Sequence, residues 1–160
     1  MNQFLRTIVL GTLLAASGMS AASAAGAADP VVGTWTLNVA KSKFSSGHGL
    51  KSETRTYAET ADGTTLTVSG VAEDGTTISQ NATWKYDGKD YPVTGFAGAD
   101  TIALKKVNGS TVASTLKMHG KAVTSTVRTI SGHGKMLTLT TKQRDEKGHN
   151  HTDVSVFDKQ

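Results

Sequence analysis

The chain has 160 residues, a formal net charge of +4 and no cysteine. This length suits one domain with its own core, and the lack of cysteine excludes both disulfides and a lipid anchor on cysteine. The lysines are dispersed along the chain rather than clustered, which argues against the basic face of a nucleic-acid-binding protein.

Residues 1–24 have the features of a cleavable secretory signal peptide. Arg6 precedes an apolar run over residues 8–16, and the small residues Ala22-Ser23-Ala24 follow as a cleavage site. The apolar run is shorter than the roughly 20 residues that a membrane-spanning helix needs. We therefore expect residues 25–160 to form a single mature domain, periplasmic or secreted, without a membrane span.

From Val31 onward the sequence has a β-pattern. Runs rich in threonine and valine alternate apolar and polar residues, and turn signals such as Asp62-Gly63 and Asn108-Gly109 separate them. Because such turns connect strands in tight hairpins, chain neighbours should pair. The predicted strands cover residues 32–39, 51–60, 64–72, 76–86, 100–107, 110–118, 121–131, 135–143 and 150–158, with a short extra strand at 91–94.

This strand pattern predicts an all-β fold, an antiparallel up-and-down β-barrel of eight to ten strands. Closure is favoured because it removes the exposed edges that long strands would otherwise leave. A sandwich of two sheets is the alternative and would pack more tightly. Many positions on the apolar face of the strands are threonine, alanine, serine or glycine, so a barrel could keep a cavity. The irregular residues 40–50 would cross one mouth of this barrel or form a loose lid.

The motif Gly33-Thr34-Trp35 in the first strand resembles the Gly-x-Trp signature of lipocalins and of intracellular fatty-acid-binding proteins. In those proteins the tryptophan closes one end of the barrel. The whole mature chain also resembles a family of small exported bacterial proteins described as lipocalin-like, through segments such as Lys41-Ser42-Lys43-Phe44, residues 86–95 and residues 156–160. This resemblance implies a lipocalin- or calycin-like barrel in the cell envelope, with Trp35 near a closed end, and it implies no particular ligand.

The last three strands have a more distant similarity to the fatty-acid-binding proteins. There, a Gly-Lys turn, a strand with an inward arginine, a second Gly-Lys turn and a Leu-Thr-Leu strand are similar to residues 120–140 of this chain. The similarity implies that Arg128 fixes the polar end of a ligand. At residues 155–157, however, this chain has Ser-Val-Phe where those proteins have Arg-x-Tyr, so we expect weak selectivity for carboxylates.

Arg128, Trp84 and Tyr86 are the candidate ligand-binding residues. An arginine inside the barrel would offer a carboxylate two parallel hydrogen bonds. The alternation does not decide its direction, since Ile130 shares its phase while Val127 lies on the other face, and a solvated arginine is the alternative. Trp84 and Tyr86 are in phase and are candidate walls of a cavity, or they simply fill the core.

Metal and catalytic sites are not predicted. His149, His151 and Asp153 alternate and could face one way on a strand and bind zinc or copper, but a hairpin of this composition is more often an ordinary solvated turn. The chain shows no nucleophile elbow, no paired carboxylates and no metal motif, so we expect neither an enzyme nor a cofactor.

The predicted function is the binding or carriage of a small, largely apolar or weakly anionic ligand in the cell envelope. The alternative is a non-catalytic structural or interaction module of the envelope with a filled barrel. A cavity of a few hundred cubic ångströms would distinguish the two.

Overall fold

The computed structural model describes residues 29–45, 49–144 and 148–160, so the predicted signal peptide lies outside the described ranges. These residues form ten β-strands and one short 3-10 helix, Val39–Lys41. No helix within these ranges is long and apolar enough to span a membrane. The strands are β1 Gly33–Leu37, β2 Leu50–Thr60, β3 Gly63–Ala72, β4 Thr77–Trp84, β5 Asp87–Thr94, β6 Thr101–Lys106, β7 Thr111–Met118, β8 Lys121–Ser131, β9 Met136–Arg144 and β10 Asn150–Lys159.

All ten strands belong to one closed antiparallel barrel. Each strand pairs with its neighbours in the chain, and β1 also pairs with β10, which closes the ring. In the register of closure, Trp35 lies opposite Lys159 on one side and opposite Arg55 on the other. The predicted up-and-down barrel of eight to ten strands is therefore confirmed, and the alternative of two stacked sheets is wrong.

The strand boundaries differ from the prediction around β5. The predicted strand 76–86 ends earlier, at Trp84, and Tyr86 lies in the connection that follows. The Asp87-Gly88 pair, predicted as a tight turn, instead begins β5, which is longer than the predicted strand 91–94. Asp87-Gly88 can belong to the strand because the register of β5 against β6 shifts between Asp87 and Asp90. Gly88, with a φ of +78°, lies within this irregularity.

The core follows the predicted alternation on most strands, with buried side chains at Leu66, Val68, Trp84, Ile102, Leu104, Val112, Leu137 and Leu139. The first half of β8 is different. Val123 and Val127 are 39% and 44% exposed, whereas Thr124 and Thr126 share the phase of buried Arg128 and line the interior. This half of the barrel interior is therefore polar.

Residues 29–32 cover one end of the barrel, which we call the closed end. Trp35 and Val31 are completely buried there, and Nε1 of Trp35 donates a hydrogen bond of 2.7 Å to the carbonyl oxygen of Val31. Asp29 forms an ion pair of 3.2 Å with Lys106, at the end of β6. Since β1 and β6 lie on opposite sides of the ring, this contact extends across the closed end.

The segment between β1 and β2 does not cross a mouth in its described part, unlike the prediction for residues 40–50. After the 3-10 helix, Lys43 pairs with Val154 through two backbone hydrogen bonds of 2.7 Å. The carboxylate of Asp153 accepts hydrogen bonds of 2.6 Å from both the backbone N–H and the hydroxyl of Ser45. The segment therefore continues along β10 where β1 has ended, and residues 46–48 lie outside the described ranges.

Gly95, which follows β5, should be the least replaceable glycine of the mouth region. A Cβ there would lie 1.9 Å from the carbonyl oxygen of Ser79, and φ is +78°. Gly75 is the matched control, with φ +93° and nothing within 4 Å of the same position. We expect Gly95→Ala to lower the free energy of unfolding by about 2 kcal/mol more than Gly75→Ala, measured by urea denaturation. Equal losses would contradict the backbone contact.

Candidate ligand cavity

A cavity of about 280 Å³ lies inside the barrel and extends from its middle towards the end opposite the closed end, which we call the open end. This volume is close to the lower limit of typical small-molecule sites. Phe96 and Ala97, between β5 and β6, line its outer part. The other lining residues come from seven strands: Arg55, Tyr57, Leu66, Gln80, Trp84, Ile102, Leu104, Val112, Ser114, Leu116, Thr124, Thr126, Arg128, Leu139, Thr141 and Gln143.

Arg128 lies at the inner part of this cavity with only 6% of its surface exposed. Its Nη2 donates a hydrogen bond of 2.9 Å to the hydroxyl oxygen of Tyr86, while its buried Nε has no hydrogen-bond partner. Within the described ranges, no carboxylate forms an ion pair with it. An enclosed guanidinium with a neutral partner and an unused donor is costly to bury, which makes it suited to bind an anion.

Aromatic rings surround the guanidinium of Arg128. Its Cζ lies 5.4 Å from the ring centre of Tyr57 and 5.7 Å from that of Tyr86. Trp84 is in edge contact with the same two tyrosines, at 6.3 and 6.5 Å between ring centres. The electron-rich faces of the tyrosines stabilise the cation, and the same two tyrosines contact both Arg128 and Trp84.

Trp84 and Tyr86, the two predicted walls, have different positions. Trp84 lines the cavity and is 1% exposed, and its Nε1 is a second buried donor without a hydrogen-bond partner. Tyr86 is outside the cavity lining and contacts Arg128 from the closed end. The structure thus brings the three predicted residues together, with Tyr86 supporting the arginine rather than forming a wall.

Asp29 provides a more distant negative charge at the closed end. Burial raises its pKa, but the hydrogen bond from the N–H of Val31 and the positive charges of Arg128 and Lys106 lower it by more. The net pKa is therefore below its usual value, and the carboxylate remains ionised. Nζ of Lys106 also lies 4.6 Å from the ring centre of Tyr86, so this ring lies between two cations.

A second arginine of the cavity, Arg55, was missed by the sequence analysis. Its Nε donates a hydrogen bond of 2.5 Å to the carboxylate of Glu53, which is 5% exposed, and its guanidinium lies over the ring of Phe157. Burial lowers the pKa of Arg55, whereas the charge of Glu53 together with Tyr57 raises it by more, so it stays charged. Unlike Arg128, it is already neutralised by a carboxylate.

The cavity has walls of different chemistry. Ile102 and Leu104 on β6 and Leu116 on β7 form an apolar wall. The adjacent wall, on β8 and β9, consists of Thr124, Thr126, Thr141 and Gln143. The hydroxyls of Thr126 and Thr141 are 3.1 Å apart and share a hydrogen bond. The cavity can therefore accommodate a molecule that has both apolar and hydrogen-bonding surface.

Metal binding has no support in the described part of the chain. No group of three histidine, aspartate or glutamate side chains there could hold a metal ion. His149, His151 and Asp153 do not form such a group, and the carboxylate of Asp153 accepts a hydrogen bond from Ser45.

Removal of the Glu53 carboxylate should strongly destabilise the barrel. Glu53→Gln would leave Arg55 buried without a counter-charge, so we expect the free energy of unfolding to fall by about 3 kcal/mol, measured by urea denaturation. The exposed Glu73→Gln is the control and should change it by less than about 0.5 kcal/mol. The double variant Glu53→Leu/Arg55→Met should recover most of the loss, because neither charge then remains. A mild effect of Glu53→Gln would contradict the buried ion pair.

Comparisons with known proteins give no family for this chain. No family model and no curated protein matches it. Among solved structures, it is similar to a crystal structure of zebrafish ileal bile acid-binding protein complexed with cholic acid. The two have 10% sequence identity and a TM-score of 0.47, and the alignment covers 82% of this chain and 99% of that chain. At this similarity neither a ligand nor a residue role can be transferred.

Proposed function

We propose that the protein binds a small, largely apolar molecule with one anionic group inside its barrel, and that it does so in the cell envelope or the surrounding medium. The observation that supports this is the environment of Arg128. Arg128 is a buried cation that lines a cavity of about 280 Å³ and has no carboxylate partner within the described ranges, and Trp84 lines the same cavity.

A buried guanidinium without a carboxylate partner is unfavourable in the unliganded protein and becomes favourable in a complex with an anion. A buried polar group without a partner costs about 1–3 kcal/mol, and a buried charge costs more. A carboxylate or another anionic oxygen group in the cavity can neutralise the guanidinium and accept charge-assisted hydrogen bonds from it. Such a ligand would recover in the complex the free energy that the folded protein has lost at this position.

The charges of the cavity favour a ligand with a single negative charge. Arg55 is neutralised by Glu53, which leaves Arg128 as the cation without an adjacent carboxylate among the described lining residues. A second anionic group would have to approach Glu53. The cavity volume also counts against the filled barrel of the alternative function.

Binding fits this lining better than catalysis does. The residues that line the cavity within the described ranges include no histidine, aspartate or glutamate that could serve as a general base. They offer donors, hydroxyls and apolar surface. These groups can orient a ligand, but none of them would activate a nucleophile.

Arg128→Met tests the proposal, because methionine removes the charge and keeps much of the volume. We expect the affinity for a small anionic probe, octanoate, to fall by about 1.5–3 kcal/mol, measured by isothermal titration calorimetry. Arg144→Met is the matched control, since Arg144 is exposed and its loss changes the net charge equally. The same loss in both variants, or none in Arg128→Met, would contradict a specific role of Arg128.

The stability of Arg128→Met provides an independent measurement. Without ligand, the variant should be more stable than the wild type by about 1 kcal/mol, because a buried charge without a carboxylate has been removed. Weaker binding together with higher stability would identify Arg128 as a residue retained for binding. A large loss of stability would instead assign it a structural role.

Export from the cytoplasm is a separate part of the proposal, supported by the sequence of residues 1–24. Expression of the full chain in a bacterium with a secretory pathway should yield protein whose amino terminus, determined by mass spectrometry, is near Ala25. Replacement of Leu13 and Leu14 by charged residues should leave the unprocessed chain in the cytoplasm. Recovery of intact Met1 protein from the wild-type sequence would refute export.

A further inference from the structure

The hydroxyl pair of Thr126 and Thr141 has unused hydrogen-bonding capacity inside the cavity. The two residues lie opposite each other in the register of β8 and β9, and their Oγ1 atoms are 3.1 Å apart. Two hydroxyls have two donors and four lone pairs, of which their mutual bond uses one of each. The hydroxyl of Ser114 donates a hydrogen bond to the backbone carbonyl oxygen of Thr126, so it does not occupy the hydroxyl of Thr126.

The position of this hydroxyl pair on the strand sets a minimum distance between it and the guanidinium of Arg128. Thr126 and Arg128 are two residues apart on β8 and face the same side of the strand. Their Cα atoms are therefore separated by about 7 Å along the strand. The guanidinium extends further towards the closed end, where it bonds to Tyr86, so the two binding groups lie at least about 7 Å apart.

The apolar wall lies next to this polar row. Ile102, Leu104 and Leu116 line the same cavity from β6 and β7. A ligand whose anionic group is bound to Arg128 would place one side of its body against these residues and another side against the threonine hydroxyls. A purely aliphatic body would leave the hydroxyl pair without a further partner.

We infer that the ligand is a monoanion with a neutral hydrogen-bonding group that Thr126 and Thr141 bind, a hydroxyl or carbonyl at least about 7 Å from its anionic group. This inference rests on the proposed function and specifies the class of ligand. The hydroxyl pair can either donate to or accept from such a group, so both a hydroxyl and a carbonyl are compatible.

The test compares octanoate with hydroxyoctanoates that have the hydroxyl at successive carbon atoms, titrated calorimetrically into the protein produced from the full chain. The isomer with the matching separation should bind about 3- to 10-fold more tightly than octanoate, because it gains one hydrogen bond. This advantage should disappear in Thr126→Val/Thr141→Val. Because both partners of one hydrogen bond are removed with little change of shape, the double variant should remain folded.

The outer face of the same two strands provides a matched control. Thr129 and Thr138 are also opposite each other in β8 and β9, but their neighbours Arg128 and Leu139 point inward, so this pair points outward. Thr129→Val/Thr138→Val should keep the preference for the hydroxylated isomer. Urea denaturation of both double variants measures whether either change affects the fold.

The outcomes separate this inference from the proposed function. If octanoate binds and loses affinity in Arg128→Met, but no hydroxylated isomer binds more tightly, the proposed function stands and the inference is refuted. If the preference survives in Thr126→Val/Thr141→Val or is lost in the outer double variant, the inference is refuted as well. If none of these acids binds, both the proposed function and the inference fail.

Discussion

Closure of the ring by β1 is the constraint on which the rest of the structure depends. This strand has five residues, yet it pairs with both β2 and β10, and without it the barrel would have two open edges. Trp35 packs at its centre, and the chain before it covers the closed end, where Asp29 is paired with Lys106 on the opposite side. A short strand thus closes the ring, and side-chain contacts across the closed end support it. Enclosure of the interior, and therefore the burial of Arg128, follows from this closure.

Two arginines, Arg55 and Arg128, line the described cavity, and only one of them has a carboxylate partner. Arg55 is bonded to Glu53, so its charge is balanced within the protein. Arg128 is bonded to a phenol oxygen and faces two aromatic rings, which stabilise a cation less than a carboxylate does. Asp29 lowers this cost only from a distance, through the closed end. A fold that can place a carboxylate against Arg55 has the means to do the same at Arg128, and its absence there is consistent with binding.

The sequence predicted the fold better than the site, for identifiable reasons. Asp-Gly and Asn-Gly turns and regular alternation are local signals, so most strands and the closed topology could be predicted. The direction of Arg128 could not, because β8 places Val123 and Val127 outside and threonines inside, which reverses the usual alternation. Arg55 was missed because its inward direction depends on its pairing with Trp35, a contact between strands that the sequence alone does not define.

The reversed alternation in β8 explains why one wall of the cavity is polar. Inward valines at positions 124 and 126 would make this wall apolar and would leave the volume of the cavity almost unchanged. Threonines have almost the same volume, but their hydroxyls favour contacts with polar partners and are poorly matched to a dry apolar core. The exposed valines on the outer face lose some hydrophobic stabilisation in exchange. The distribution of residues in β8 therefore gives the cavity a polar wall beside Arg128 instead of an apolar one, and the proposed ligand would contact this wall.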